Sequence, residues 1–265
     1  MTAQESWDAG RLKEAIQFAY SEVKSKPMDA LIRHRLAMLL CFNGEFEKAD
    51  RQLSTLSSVN SEVAVGVALS RQLLRAELCR QEFYTAGRLP EFVGEPSENL
   101  KLHIRASISV REGNQGEAVE LLAEAESMRP HVGGHCDGEA FEDLRDLDDL
   151  VAPVLEALTS TGKYYWVPLN ELISLEMPSP ETLADLLWRP VRLSMEKGPE
   201  GLVFLPTLYA GSAQDDQENI RMGRATEWQG GDGAPVRGRG LRMLMVGDEA
   251  RSVLDINRLQ IKPQV

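Results

Sequence analysis

Residues Asn43–Ala49 read NGEFEKA, and this stretch decides the fold of the first half of the chain because its wording occurs twice more. Gly10–Ala15 reads GRLKEA, and Glu112–Ala118 reads EGNQGEA. Gly10 and Gly44 lie 34 residues apart, and Gly44 and Gly113 lie 69 apart. These distances are one period and about two periods of the tetratricopeptide (TPR) repeat, a pair of helices of about 34 residues. The spacing therefore predicts TPR-like helical repeats.

Small residues keep the same step along this region. Ala15, Ala49 and Ala118 each lie five residues after the glycine, where two helices of a pair approach closely. Glycine at the turn between the helices supplies a positive φ at no steric cost. Residues 61–88 have the length of a further unit but lack the glycine and alanine in phase, so we predict a degenerate unit there. Stacked helix pairs form a concave groove that commonly accepts a helix or an extended peptide.

The composition excludes several classes of function. The formal net charge is −12 and the pI is near 4.9, whereas a protein that binds nucleic acid needs a basic face. The first residues do not resemble an export signal, and no apolar run approaches the roughly 20 residues that span a bilayer. Three cysteines far apart in sequence fit reduced thiols. We therefore expect a cytoplasmic protein with no nucleic-acid partner and no membrane insertion.

The second half of the chain has a different character. A glycine-rich segment at residues 131–138 places a domain boundary near residue 135. Short β-prone runs then occur, most of them bounded by Gly or Pro. They cover residues 164–167, 191–193, 201–205 and 241–246.

Residues 179–188 are the one helical segment predicted in this half, because a serine cap, a proline and an acidic first turn precede spaced leucines. The glycines at residues 231–233 and 238–240 predict hairpin loops. The fold class is therefore α+β. Residues 1–134 are predicted to form TPR-like helical repeats, and residues 135–265 a small antiparallel, barrel-like β-rich domain.

Three ordered motifs of the second half resemble one protein family. They are GKYYWVP at Gly162–Pro168, LADLLW at Leu183–Trp188 and LPTLYAG at Leu205–Gly211. All three are similar to the C-terminal signature of the ImpE/TagJ family of type VI secretion accessory proteins. The motifs RATEW at Arg224–Trp228 and GRGLR at Gly238–Arg242 also fit. The similarity extends into the repeat segment of the first half and so covers nearly the whole chain.

The resemblance implies a non-catalytic adaptor of a bacterial type VI secretion system. Its implied partners are the small sheath subunit TssB, through the N-terminal helix of TssB, and the ClpV AAA+ ATPase that disassembles the contracted sheath. One alternative is a hydrolase or nucleotide-binding enzyme with a site around Asp146, Asp148, Arg224 and Arg242. A second alternative is a generic TPR chaperone for another client.

The residues themselves indicate neither catalysis nor a cofactor. The sequence contains no GxSxG, HExxH or GxxxxGK[ST] motif. His131, His135 and Cys136 supply nitrogen and thiolate ligands close together, but a fourth ligand at a suitable spacing is missing, so we predict no metal site.

Charged residues in two clusters are the candidates for binding a partner. The acidic cluster lacks the alternating oxygen ligands and the following glycine of a calcium loop, so a solvated or arginine-paired edge is expected. Its members are Glu139, Glu142, Asp143, Asp146, Asp148 and Asp149. The basic cluster, to which Arg237 also belongs, suits the capture of carboxylates on a partner, and pairing with the chain's own acidic edge is equally compatible with the sequence. The candidate residues are Asp146, Asp148, Asp149, Trp228, Arg221, Arg224, Arg239 and Arg242.

Large aromatic residues occur in the family-like motifs. Trp166, Trp188, Tyr209 and Trp228 are expected mainly in the core, with an interface role as the alternative.

Overall fold

The computed structural model describes residues 2–57, 64–198 and 200–262. Within these residues the first half is helical and the second half consists mainly of antiparallel strands, so the fold class is α+β as predicted. None of the described helices is long and apolar enough to cross a membrane. Eight helices lie in the described part of the chain: α1 (Ala3–Asp8), α2 (Leu12–Ser25), α3 (Ala30–Phe42), α4 (Phe46–Ser57), α5 (Ala64–Ala86), α6 (Glu98–Arg111), α7 (Gln115–Ser127) and α8 (Glu218–Arg221).

Three helix pairs are joined by the glycines that the repeat pattern singled out. Gly10, Gly44 and Gly113 have φ values of +78°, +73° and +84°, a conformation that residues with a Cβ rarely adopt. The alanines five residues after each glycine are fully buried. The predicted turns and close helix contacts are therefore confirmed, while the TPR class itself stays a prediction.

The middle of the helical region differs from its prediction. A helix pair was predicted at residues 61–88, but α5 is one continuous helix of 23 residues. Residues 61–63 of that prediction lie outside the described residues. Among residues 64–88, only Gly87 has a positive φ, and it lies after α5 has ended, so within the helix no residue makes the turn that a pair requires.

Thirteen strands lie in the described residues, and eleven of them belong to the two larger sheets of the second half. An eight-stranded antiparallel sheet has the order β2-β1-β13-β6-β7-β8-β4-β5, a three-stranded sheet has the order β12-β11-β3, and β10 and β9 form a hairpin. The strands are β1 (Gly134–Cys136), β2 (Glu139–Phe141), β3 (Leu144–Asp146), β4 (Val154–Leu158), β5 (Tyr164–Pro168), β6 (Leu172–Glu176), β7 (Trp188–Met195), β8 (Gly201–Pro206), β9 (Thr226–Gly231), β10 (Ala234–Gly240), β11 (Met243–Val246), β12 (Glu249–Ser252) and β13 (Arg258–Ile261).

The large sheet is open, whereas a barrel-like sheet was predicted. Its edge strands are β2 and β5, and in the described residues these two strands do not pair. The outer edge of β5 is instead taken up by the segment that links α5 to α6. The backbone N–H of Glu91 donates to the oxygen of Tyr164 at 2.8 Å, and the N–H of Trp166 donates to the oxygen of Glu91 at 3.1 Å. This edge therefore has a partner without closure of the sheet.

Two local predictions in the second half are wrong. The helix predicted at residues 179–188 is a turn. Its last residue, Trp188, is already the first residue of β7 and pairs with Pro206 of β8. The hairpin loop predicted at residues 238–240 lies inside β10. Gly238 is required there because a Cβ would stand 2.2 Å from the ring of Tyr209. The loop predicted at residues 231–233 is confirmed at the turn between β9 and β10.

One hydrophobic core crosses from the helices into the sheet. It contains Phe83 of α5 together with Trp166 of β5, whose ring centroids lie 4.9 Å apart in an edge-to-face arrangement. Trp166 is completely buried, and Trp188 is nearly so. A second hydrophobic core is formed mainly by residues of the large sheet. The first core means that the helical and β-rich halves pack against each other.

Candidate functional site

Arg80 of α5 is a buried side chain that connects the helices to the large sheet. Its Nε and Nη2 atoms donate to the two carboxylate oxygens of Glu156 on β4, each at 3.0 Å. Its Nη1 donates to Glu77 at 3.1 Å, and Nη2 also donates to the backbone oxygen of Leu208 at 3.0 Å. A two-point pair of this kind fixes orientation as well as distance. Arg80 therefore holds α5 in one position on the sheet.

Glu156 is the centre of this buried network. The hydroxyl groups of Tyr84 and Tyr164 donate to its Oε1, and the guanidinium of Arg242 donates to its Oε2. Burial by itself raises the pKa of a carboxyl, but the charges of Arg80 and Arg242 hold the pKa of Glu156 well below its usual range. Glu156 is therefore ionised at neutral pH.

Asp146 of β3 extends the network on the far side of Arg242. Arg242 Nη1 donates to Asp146 Oδ2 at 3.2 Å, and the hydroxyl of Tyr209 and the backbone N–H of Asp148 donate to Oδ1 at 2.9 and 2.8 Å. Burial raises the pKa of Asp146 to about 7, and the neighbouring Asp148 adds to this effect while Arg242 opposes it. The carboxyl group of Asp146 therefore changes between its protonated and ionised forms near neutral pH.

The rest of the acidic cluster is bound within the chain. Arg237 Nε lies 2.9 Å from each carboxylate oxygen of Asp148. Asp149 accepts from Arg145 Nη2 at 2.9 Å and from the backbone N–H of Val236 at 2.7 Å. Asp146, Asp148 and Asp149 are thus an arginine-paired edge, one of the two arrangements that the sequence favoured.

The other candidate residues lie away from Asp146. Arg221 donates to Asn43 Oδ1 at 2.6 Å, which ties α8 to the turn before α4. Arg224 donates to backbone oxygens at the end of α1 and stacks over a tryptophan ring there. Arg239 donates to a backbone oxygen in the loop after β8 at 3.0 Å. Trp228 contacts a tyrosine ring and keeps 44% of its surface exposed.

Only three of the four residues proposed for an enzyme site therefore lie together. Asp146, Asp148 and Arg242 meet in the buried network, but Arg224 binds the end of α1. The cavity beside Arg80 has a volume of about 30 Å³, which is room for about one water molecule. Among the described residues, no three His, Cys, Asp or Glu side chains are placed to hold a metal ion.

The central members of the network were not among the site residues predicted from the sequence. Glu77, Arg80 and Glu156 lie on elements that read as ordinary amphipathic or apolar segments. The available signal was the position of Glu156, which is a charged residue in the middle of the apolar strand Val154–Leu158. A carboxylate at such a position is stable only when a buried cation is paired with it.

Fold and site together define an α+β protein in which buried ion pairs connect a helical half to a β-rich half. A family model described as "ImpE protein" matches residues 138–260. The type VI secretion system accessory component TagJ of Pseudomonas aeruginosa is 32% identical over 99% of this chain and 92% of its own length. The chain therefore belongs to the ImpE/TagJ family.

A solved structure extends the comparison to three dimensions. The crystal structure of a protein from Vibrio parahaemolyticus matches with a TM-score of 0.91 and 28% sequence identity, covering 99% of this chain and 98% of that chain. The arrangement of the helical half on the β-rich half is thus similar in both proteins.

Proposed function

We propose that this chain is a non-catalytic accessory component of a bacterial type VI secretion system. The observation that carries the proposal is the 32% identity to the accessory component TagJ over nearly the full length of both proteins. In this proposal the protein works in the cytoplasm as an adaptor that binds the sheath subunit TssB and links it to the ClpV ATPase.

The buried network supports a structural role rather than catalysis. A catalytic acid or base must reach a substrate in a pocket. Arg80 is instead paired with Glu156, and Asp146 with Arg242, and all four side chains are closed off from solvent. Their role in the proposal is to keep the two halves, residues 1–134 and 135–265, in a fixed relation. Trp228, with its exposed ring, remains the proposed partner contact among the original candidates.

The receiving surface for the TssB helix is proposed on the helical half. Met28, Leu31 and Val65 expose 65%, 78% and 81% of their surface. His34 Nε2 lies 2.9 Å from Ser70 Oγ, so the beginning of α3 lies beside the beginning of α5. Exposed apolar side chains at a helix–helix junction suit the apolar face of an amphipathic helix.

Calorimetry with the N-terminal segment of TssB tests the proposal on the full chain. A single helix that orders on binding is expected to bind with a micromolar dissociation constant, about −8 kcal/mol. Leu31→Glu should weaken binding at least about tenfold, because a charge at the contact must be desolvated. Leu202→Glu is the matched control, since Leu202 is also an exposed leucine and lies on β8, outside the helical half.

Two outcomes contradict the proposal. The absence of heat at hundred-micromolar peptide would remove TssB as the partner. An equal loss of affinity in the Leu31 and Leu202 variants would remove the helical surface as the site.

A further inference from the structure

The two edges of the β9–β10 hairpin differ in their hydrogen bonds to the rest of the chain. On the β10 edge, the backbone N–H groups of Val236 and Gly238 donate to the carboxylates of Asp149 and Asp148 at 2.7 and 3.1 Å. The N–H of Gly240 on the same edge donates to a serine hydroxyl at 2.8 Å. Side chains thus occupy the outward hydrogen-bonding positions of β10.

The same bonds show which backbone groups of β9 point outward. Gly238 lies opposite Trp228, and Gly240 lies opposite Thr226. In an antiparallel pair, two opposed residues direct their backbone groups either towards each other or both away. Because Gly238 and Gly240 direct theirs away from β9, Trp228 and Thr226 direct theirs away from β10.

The β9 edge is open. Within residues 2–57, 64–198 and 200–262, no backbone or side-chain group accepts from or donates to the outward backbone groups of Thr226 and Trp228. Proteins usually cover such an edge, because it is a template for pairing with another chain. This chain covers the edge of β5 with Glu91, but it leaves the six-residue strand β9 exposed along most of its length.

An acidic groove runs beside this hairpin. The groove has a volume of about 370 Å³, and Asp215, Asp216 and Glu227 line it. Arg239 also lines the groove, but its guanidinium donates to a backbone oxygen and to Gln229. In the described part of the chain, no lysine or arginine forms an ion pair with the three carboxylates. With three carboxylates and one guanidinium, the groove therefore offers a net negative charge next to unpaired backbone.

We propose that β9 is the docking edge for an extended, basic segment of a partner protein. The segment adds as a further strand beside β9, bonding to the outward backbone groups of Thr226 and Trp228. Alternate side chains of an added strand project to one face, so lysines or arginines at every second position reach the groove carboxylates. The charge of the groove selects the basic partner, and the open backbone selects its extended form. This surface contains Trp228 and is separate from the helical surface for TssB, so it goes beyond the proposed function by naming the form and charge of a second partner segment.

Three synthetic peptides added to the full chain separate the two parts of the recognition. The first is the acetylated and amidated octapeptide Lys-Thr repeated four times, which should bind with a micromolar dissociation constant at low salt and at least tenfold more weakly at high salt. The second replaces each Thr by Pro, which keeps the charge but removes half of the N–H donors, and should bind at least tenfold more weakly. The third replaces each Lys by Glu and should not bind. Equal binding of the Thr and Pro peptides would overturn strand addition.

A matched pair of variants locates the site. Asp216→Asn should weaken the Lys-Thr peptide about fivefold, whereas Asp248→Asn, the same change at an exposed turn between β11 and β12, should leave it unchanged. In the complex, hydrogen exchange of the Thr226 and Trp228 amides should slow at least tenfold. Equal losses in both variants, or unchanged exchange of these two amides, would overturn the assignment of the site to β9.

Discussion

Replacing Glu156 by glutamine tests whether the buried network holds the two halves of the chain together. The change keeps the size and shape of the side chain, but it removes the negative charge between Arg80 and Arg242. Glu156 accepts from these two arginines and from Tyr84 and Tyr164. A glutamine has only one acceptor oxygen, and its amide nitrogen only donates. At least one donor of the network is then left facing another donor.

The expected loss is large because solvent cannot replace the missing charge. The side chains of Arg80 and Glu156 are 2% and 0% exposed. Removing one partner of a buried ion pair typically costs about 3–5 kcal/mol. The unfolding free energy of a domain is typically about 5–15 kcal/mol, so the variant should lose a substantial part of its stability.

Urea unfolding of the full chain, followed by circular dichroism and tryptophan fluorescence, measures this loss. Glu82→Gln is the matched control, since Glu82 pairs with Arg88 at 2.9 Å while both side chains are at least half exposed. Exposed pairs contribute less than about 1 kcal/mol. If Glu156→Gln unfolds within about 1 kcal/mol of the unchanged protein, the network does not stabilise the junction and the reasoning is wrong.

Two further changes test the neighbouring groups. The folded chain keeps the Asp146 proton up to about pH 7, whereas the unfolded chain releases it near the ordinary value of 3.8, so this group lowers stability as pH rises from about 4 to about 7. Over that window Asp146→Asn should gain stability relative to the unchanged protein, by up to about 4 kcal/mol, in unfolding curves taken at successive pH values, and a difference that does not vary with pH would exclude a titrating Asp146. Trp166→Ala should cost about 3–5 kcal/mol, since the ring is completely buried, and Trp228→Ala should cost far less because its ring is partly exposed; equal melting temperatures of these two variants would contradict the core assignment of Trp166.

The helix pairs could be predicted because their signals are local. Gly10, Gly44 and Gly113 mark positions where the backbone needs a positive φ, and glycine is the residue that adopts this conformation most readily. The strand at residues 164–167 was predictable for a similar reason, since aromatic and β-branched residues are concentrated there. Local chemistry of this kind survives in the folded structure.

The network could not be predicted because its members meet only after folding. Arg80 and Glu156 are 76 positions apart in sequence, and neither carries a motif. The failed helix at residues 179–188 has the same origin, since pairing of Trp188 with Pro206 outweighs a local cap and helical pattern. Gly238 resembled a loop residue, but the ring of Tyr209 explains it. In each case the deciding contact comes from a distant part of the chain.

The position of β13 determines when the large sheet can assemble during synthesis. This strand, at Arg258–Ile261, lies between β1 and β6 and pairs with both. The ribosome makes β1 and β6 before β13, so the sides of these two strands that pair with β13 have no partner until then. The sheet is joined only when residues 258–261 emerge. A nascent chain that stalls before this point lacks the strand that joins the β2–β1 pair to the five strands β6, β7, β8, β4 and β5, so it exposes strand edges of the kind that promote aggregation.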